Sequence, residues 1–597
     1  CWRNTTCTHP TEASFPGPWD ENIYAPDSRT ARPRSVLSLS TGEPLAPFSS
    51  SSSSSPLSPP STTQVLKGNG SALVFDFGVL VGGVTTVNYT VTGGPATLGL
   101  AWTEAKNWIG EYSDNSNGNY RGPGGALISD DGALFHAVDA SGKGSYTVPL
   151  AQLRGGFRYL TLYLVTDAPA AAAAPAPAPV ASAAALSVDD VSVEIVFQPT
   201  WANLRAYKGY FHSSDDLLNR VWYSGAYTLQ TNAAPPETGR VLTEDIRDGG
   251  WSNSAWLGAG ASLLLDGAKR DRWVIPGTGV LNATATGDWA RYVNAPNGSA
   301  PNMLLYRTLT TGAFLADLAP LADDDDDDDD DDYASFGPAT GANLTESWLA
   351  RARALRAAIR AHFWDASKGA FIDGYRNRTL YPQDRNSYAV AFGVVDPADL
   401  EAASISRALT ENWTPIGPSS PELPGNVSPF VSSVELEAHF AAGRADRALR
   451  LVRNSWGWYL NHPNGTGSTV IEGYLADGTF GYRSTRGYTD DPSYVSHAHG
   501  WSSGPTSTLN EYLVGLRVTR PAGAGWSLKP AFGEVSEAQA GFTTALGRFS
   551  AKWAVEGGVA SVEWDVPVGT RGWLELGGEE GRWMDGGKGA TRVRVKG

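Results

Sequence analysis

Asp266-Gly267-Ala268-Lys269-Arg270-Asp271-Arg272-Trp273-Val274-Ile275-Pro276-Gly277 decides how this chain is read. Two acids and three bases stand beside large apolar residues, directly after the apolar run Leu263–Leu265. A buried charge is costly unless it is paired and hydrogen-bonded. Such a cluster therefore reads as the wall of a polar pocket rather than as core.

On either side of this stretch the apolar period is helical. Asp215–Thr231 carries Leu217, Leu218, Val221, Trp222, Ala226 and Leu229 at helical spacing. Ser254–Leu265, Glu346–Phe363, Val431–Ala442 and Arg444–Tyr459 read the same way, with long Gly/Pro/aromatic loops between them. The expectation is an (α/α)6 toroid over residues 206–515, with the loops at one end gathering the site.

Before and after this block the period is that of strands. Ala72–Phe77, Thr85–Val91 and Arg158–Leu164 are short β-branched or aromatic runs, mostly bounded by Gly, and they predict an N-terminal β-sandwich over 61–205. The Ala/Pro tract Ala168–Pro179 reads as an exposed insertion in it. In Ser561–Val566 the apolar Val562, Trp564 and Val566 alternate with polar neighbours, and Thr591–Val595 alternates likewise. These predict a C-terminal β-sandwich over 516–597. Residues 1–60, with the serine tract Ser49–Ser55 and the following prolines, read as an irregular lead-in.

At 597 residues the chain needs more than one core. Its net charge of −16 argues against a nucleic-acid partner, although Asp323–Asp332 alone supplies ten acidic groups. That run lacks the Gly turn and spaced ligands of a calcium loop and reads as a solvated tract. No apolar run of about 18 residues is present, so no membrane span is expected. The 21 Trp and 23 Tyr favour a carbohydrate ligand, because aromatic faces stack on the C–H faces of sugars.

Cys1 and Cys7 are the two cysteines and would close a small loop in an oxidising compartment. Asn-x-Ser/Thr sequons recur at Asn4, Asn69, Asn88, Asn282, Asn297, Asn343, Asn377, Asn412, Asn426 and Asn464. A start at Cys1 fits a form matured by signal cleavage. Together these predict a secreted, extracellular protein bearing N-linked glycans.

Five clusters offer chemistry. They are Glu237–Trp256, which includes Glu244 and Trp251; the opening stretch; Tyr381–Asn386, with Asp384; Ser468–Tyr474, with Glu472; and His497–Trp501, with His499. Glycoside hydrolysis needs two carboxyl groups, and these clusters supply several. His497-x-His499 has metal-ligand spacing, but apart from Asp490 and Asp491 no third ligand sits nearby. Neither a metal nor a cofactor is expected. G-x-S-x-G and Walker motifs are absent.

The opening stretch resembles a signature of the α-L-rhamnosidase-like glycoside hydrolases, family 78, which reads roughly D-x-x-x-R-D-E-x-x-W-x-G-D. Asp266, Arg270, Asp271 and Gly277 fit it; Arg272, Ile275 and Thr278 depart from it. Arg272 stands where that family has its catalytic acid. The stretch Thr469–Glu472 is similar to a late T-T-x-W-E motif of the same family, with Ile471 in place of Trp. The resemblance implies a sandwich–toroid–sandwich order and Glu472 as the base that activates water. It also implies sugar contacts from Asp266, Arg270, His499 and Trp501. Asp271, Asp266, Glu244 and Asp248 are candidates for the acid, Asp271 and Glu244 foremost, since a guanidinium cannot donate a proton at neutral pH. Trp251, Asp384 and Asn386 are further candidates for binding, and Arg272 would suit a uronic acid next to the scissile sugar.

The leading expectation is an inverting hydrolase that removes terminal α-L-rhamnose or a related sugar from plant glycans. A polysaccharide lyase would draw on Arg270, Arg272, Tyr381, Asn386 and His499. A third reading is an inactive carbohydrate-binding homologue. Oligomeric state stays open.

Overall fold

A computed structural model describes residues 6–8, 11–47, 64–114, 133–138, 141–153, 155–166, 184–233, 277–281, 290–291, 297–318, 341–375, 377–483 and 492–595. The chain divides into two compact units: Cys1–Trp251 with Val452–Gly597, and Ser252–Leu451. No helix among the described residues is long and apolar enough to cross a membrane.

The first unit begins with two antiparallel sheets. One has five strands, with Ala185–Ile195 pairing Gly83–Thr92, Gln64–Lys67 and Thr30–Ala31, and Gly142–Thr147 at the edge. The other has six strands and places Phe157–Val165 between Ala72–Val81 and Ala96–Thr103. In Ala185–Ile195 buried and half-buried positions mostly alternate, the mark of a strand with one covered face. Phe157–Val165 is buried on both faces. This strand and its neighbour Ala72–Val81 also carry contacts to the loop at 465–468. Arg158, paired with Asp76 at 2.8 Å, donates to Thr466 O at 2.9 Å, and Leu80 N donates to Ser468 Oγ at 3.0 Å.

Helix Asp216–Thr231 follows. Asp215 caps it, accepting from Leu217 N and Leu218 N, and Leu218, Val221 and Trp222 are buried as the spacing predicts. Leu229 is half exposed instead.

The seven-stranded C-terminal sheet is built around Val559–Leu574, which pairs antiparallel with Gly547–Glu556 and Arg582–Arg594 and parallel with Gly525–Leu528. Val562, Trp564 and Val566 are buried, in the alternation expected from sequence. Strand Gly209–Ser213, which lies in the range read as helical, is the outer strand of this sheet.

The second unit is helical. Ser299–Leu318 packs on Gly341–Phe363, and Gln383–Ala391 packs on Leu400–Leu409 and Pro429–Ala441. Ala352, Leu355, Ile359 and Phe363 form one apolar stripe of the Arg- and Ala-rich helix and share a core with Met303, Tyr388 and Ile405. The helix expected over 444–459 is interrupted, forming as Ala445–Asn454 and Trp456–Leu460. The helix expected at 254–265 and the run Asp323–Asp332 lie outside the described residues.

Candidate active site

Glu472 sits on an irregular segment that is hydrogen-bonded to 496–499. Glu472 N donates to Ser496 O at 2.8 Å, and His499 N donates to Val470 O at 2.9 Å. Thr469 Oγ1 reaches His497 O at 2.6 Å. Val470 N is tied to Thr228 Oγ1 of the capped helix at 2.9 Å, and Ile471 is buried. Ile471 therefore anchors the segment in the core.

Gly473 lets the chain turn beside a fixed ring. A Cβ at this position would come within 2.3 Å of Tyr482, itself fully buried. Any larger residue must displace that ring and, with it, the neighbouring Glu472.

The Glu472 side chain is 7% exposed. Its Oε2 accepts from Ser496 N at 3.3 Å and faces His499 Nδ1 at 3.9 Å. Burial pushes the His499 imidazole down to about 4. The ring is neutral at neutral pH, so its contact with Glu472 is that of a neutral imidazole rather than an ion pair. His499 lies at the start of the short turn Gly500–Ser502, and its side chain makes no capping bond there. The ring packs against Trp501 at 4.6 Å between centroids, and Trp501 Nε1 donates to Glu472 O at 3.1 Å. Glu472, His499 and Trp501 thus come together as expected, with a carboxylate, a neutral donor–acceptor and an apolar wall side by side. His497 turns away: its Nδ1 meets Tyr459 OH at 2.8 Å, and burial pushes its pKa down to about 3.

Sequence reading missed Glu104, at the end of strand Ala96–Thr103. Its Oε2 accepts from His497 N at 3.0 Å, across 393 positions of chain. Burial pushes this carboxyl up to about 8, against the pull of the His497 N–H, and the Glu472 charge adds to the rise. An acid at a strand end is too common a feature to have marked it.

Asp384 and Asn386 belong to the second unit, where their side chains are engaged by other groups of the protein. Asp384 accepts from Arg291 Nη1 at 2.8 Å, and Arg291 Nη2 reaches Asp373 at 2.6 Å. Arg385 also contacts Asp373. Asn386 engages Phe371 N, Phe371 O and Pro382 O through its side chain. Both residues are buried, and these bonds hold the helix Gln383–Ala391 in its unit. Tyr381 OH, a candidate lyase base, donates to Asp365 at 2.6 Å. Glu244, Asp248, Trp251, Asp266, Arg270, Asp271 and Arg272 lie outside the described residues.

Residues 515–591 match the family model of the bacterial α-L-rhamnosidase C-terminal domain. Among curated proteins none matches the sequence. Similar solved structures include a family 78 rhamnosidase of Bacillus sp. GL1, at 18% identity and a TM-score of 0.56, covering 85% of this chain and 53% of that one. An α-L-rhamnosidase from Dictyoglumus thermophilum has 14% identity and a TM-score of 0.54, covering 93% of this chain and 65% of that one. A rhamnosidase from Klebsiella oxytoca with rhamnose bound has 14% identity and a TM-score of 0.53, covering 81% of this chain and 95% of that one. This chain thus spans about half to two thirds of the first two. These are hydrolases by name, and the likeness lends nothing to a lyase. At 515–591 the chain is thus similar to the C-terminal domain of bacterial α-L-rhamnosidases, and its fold is similar to that of solved rhamnosidases.

Proposed function

We propose that this chain is an inverting glycoside hydrolase that removes terminal α-L-rhamnose or a related sugar from plant glycans, with Glu472 as the base. The observation that carries the reading is a nearly buried carboxylate held beside a neutral imidazole and an indole wall. A base in that setting takes a proton from water as the water attacks the anomeric carbon. The His499 ring nitrogen and the Trp501 face suit a sugar hydroxyl and a sugar C–H face. An inverting pair needs a second carboxyl about 6.5–9.5 Å away, across room for that water. Asp271 and Glu244 are the candidates for this acid, and Asp266, Arg270 and Trp251 for the grip on the sugar.

The central helical block is taken as an (α/α)6 toroid between two β domains. Secretion, glycans on the exposed sequons and a Cys1–Cys7 disulfide complete the reading.

The test is Glu472→Gln, which keeps shape and removes the base. Release of rhamnose from aryl and glycan rhamnosides should fall by about 10³-fold, with unfolding temperature little changed. Retention of activity in this variant sinks the reading. Running the wild type on neutral and uronate-bearing rhamnosides tests Arg272, and equal rates on both sets remove its proposed role.

A further inference from the structure

We propose that Glu104 of the N-terminal β region is a positioning residue for Glu472, acting through the backbone of the Ser496–His499 segment. The geometry is specific. On one side this segment is bonded to the stretch that carries Glu472, through Ser496 O, His497 O and His499 N. The amide of His497 points the other way, where the Glu104 carboxyl receives it at 3.0 Å. Glu104 therefore holds from behind the short segment that presents both Ser496 N and His499 Nδ1 to the Glu472 carboxylate.

Glu104 is itself fixed. Its backbone N donates to Asp114 Oδ2 at 2.8 Å, and two residues on, Lys106 N donates to Asn464 O at 2.9 Å. With the Arg158–Thr466 and Leu80–Ser468 bonds, the six-stranded sheet grips the chain on both sides of the Glu472 loop. The titratable groups around Glu104 are Glu472, His497 and Tyr459, with Asp114 at its backbone. None of these side chains is a cation that would hold Glu104 ionised at neutral pH, which agrees with its raised pKa. A neutral carboxyl can keep accepting from His497 N without placing a second negative charge beside the base. The N-terminal sheets thereby become part of the catalytic apparatus rather than an appendage to it.

The proposal rests on the hydrolase reading for its kinetic arm alone. Hydrogen–deuterium exchange of the full chain supplies an arm that needs no substrate. In Glu104→Leu the acceptor is lost, and peptides covering 495–503 should exchange about ten-fold faster, while those covering 537–556 stay as in wild type. Glu104→Gln keeps an acceptor oxygen and should restore slow exchange. Unaltered exchange in the leucine variant overturns the proposal, as does a glutamine variant as fast as the leucine one. If the leucine variant exchanges everywhere, Glu104→Asp, too short to reach His497 N, takes its place under the same criteria. In the kinetic arm, Glu104→Leu should lower kcat by about 100-fold with KM little changed, and Glu104→Gln should restore kcat. A glutamine variant as damaged as Glu472→Gln would overturn the positioning role. If the wild type cleaves no rhamnoside, the functional reading falls and the exchange arm still decides the place of Glu104.

Discussion

Two regions of this molecule bury carboxylates, and they do so in different company. In the helical unit, Arg291 bridges Asp373 and Asp384, and Arg385 joins Asp373. Glu422 accepts from the backbone N–H of Gln383 and Asp384, at the head of helix Gln383–Ala391. Its carboxyl is pushed up to about 8 by burial, with the Asp384 charge adding to the rise. With Glu422 neutral, two guanidinium groups face two carboxylates, and this cluster is balanced. The Glu472 carboxylate accepts from Ser496 N and lies 3.9 Å from the His499 imidazole, which burial keeps neutral, while its backbone oxygen takes the Trp501 indole N–H. The first arrangement matches charge with charge and fixes a helix. The second sets an acid beside an imidazole that burial keeps neutral. Burial of an acid therefore does not by itself mark a catalytic site.

The contrast is broken most directly at Arg291. Arg291→Met leaves Asp373 and Asp384 buried with one guanidinium between them, at a cost of about 3–5 kcal/mol. Calorimetry should show unfolding lowered by about 10 °C, whereas Glu472→Gln should barely move it. Equal thermal shifts would end the distinction between a structural and a chemical cluster.

Gly473→Ala is the next largest effect. The buried Tyr482 ring has no room for the new methyl, so stability should drop by about 1–3 kcal/mol, and activity should fall with it as Glu472 shifts. A neutral result in a melting curve and a rate assay would show that the loop is slack.

The pH dependence of stability sharpens the comparison further. Glu104 and Glu422 both have folded pKa values of about 8, above the unfolded value of 4.5. Their contributions are fully present below 4.5 and are lost as pH rises through 8. His497 and His499 lie at about 3 and about 4, below the unfolded 6.5, so theirs are present above 6.5 and lost as pH falls through those values. Melting temperature against pH should form a dome. Glu104→Gln and Glu422→Gln should each flatten its alkaline side and leave the acid side alone. A curve unchanged in both variants would contradict the neutral state of these carboxyls.

The smallest effect concerns the sequons. Asn426 is buried and its Nδ2 donates to Pro424 O at 3.0 Å, while Asn69 is exposed. Glycopeptide mass spectrometry of chain from a eukaryotic secretory host should find sugar on Asn69 and none on Asn426. A glycan on Asn426 would place that part of the helical unit outside the fold described.

Much of this was legible locally. Val562, Trp564 and Val566 announced a half-covered strand because side chains alternate across a sheet. The spacing of Leu218, Val221 and Trp222 announced a helix, which the structure shows capped by Asp215. Glu472, His499 and Trp501 stood out as types suited to sugar chemistry, and they are neighbours in space. The interior bonds of Asp384 and Asn386 were not legible, because a polar run at a helix start looks the same whether it faces a ligand or an interior network.

By itself the sequence determined periodicity, capping and the kinds of side chain available for chemistry, since these depend on residues a few positions apart. Tertiary structure decided which acid meets a guanidinium and which meets a neutral ring. It also decided that Glu104 stands behind the His497 amide. Those outcomes depend on desolvation and on partners far away in the chain, and neither is encoded in local spacing.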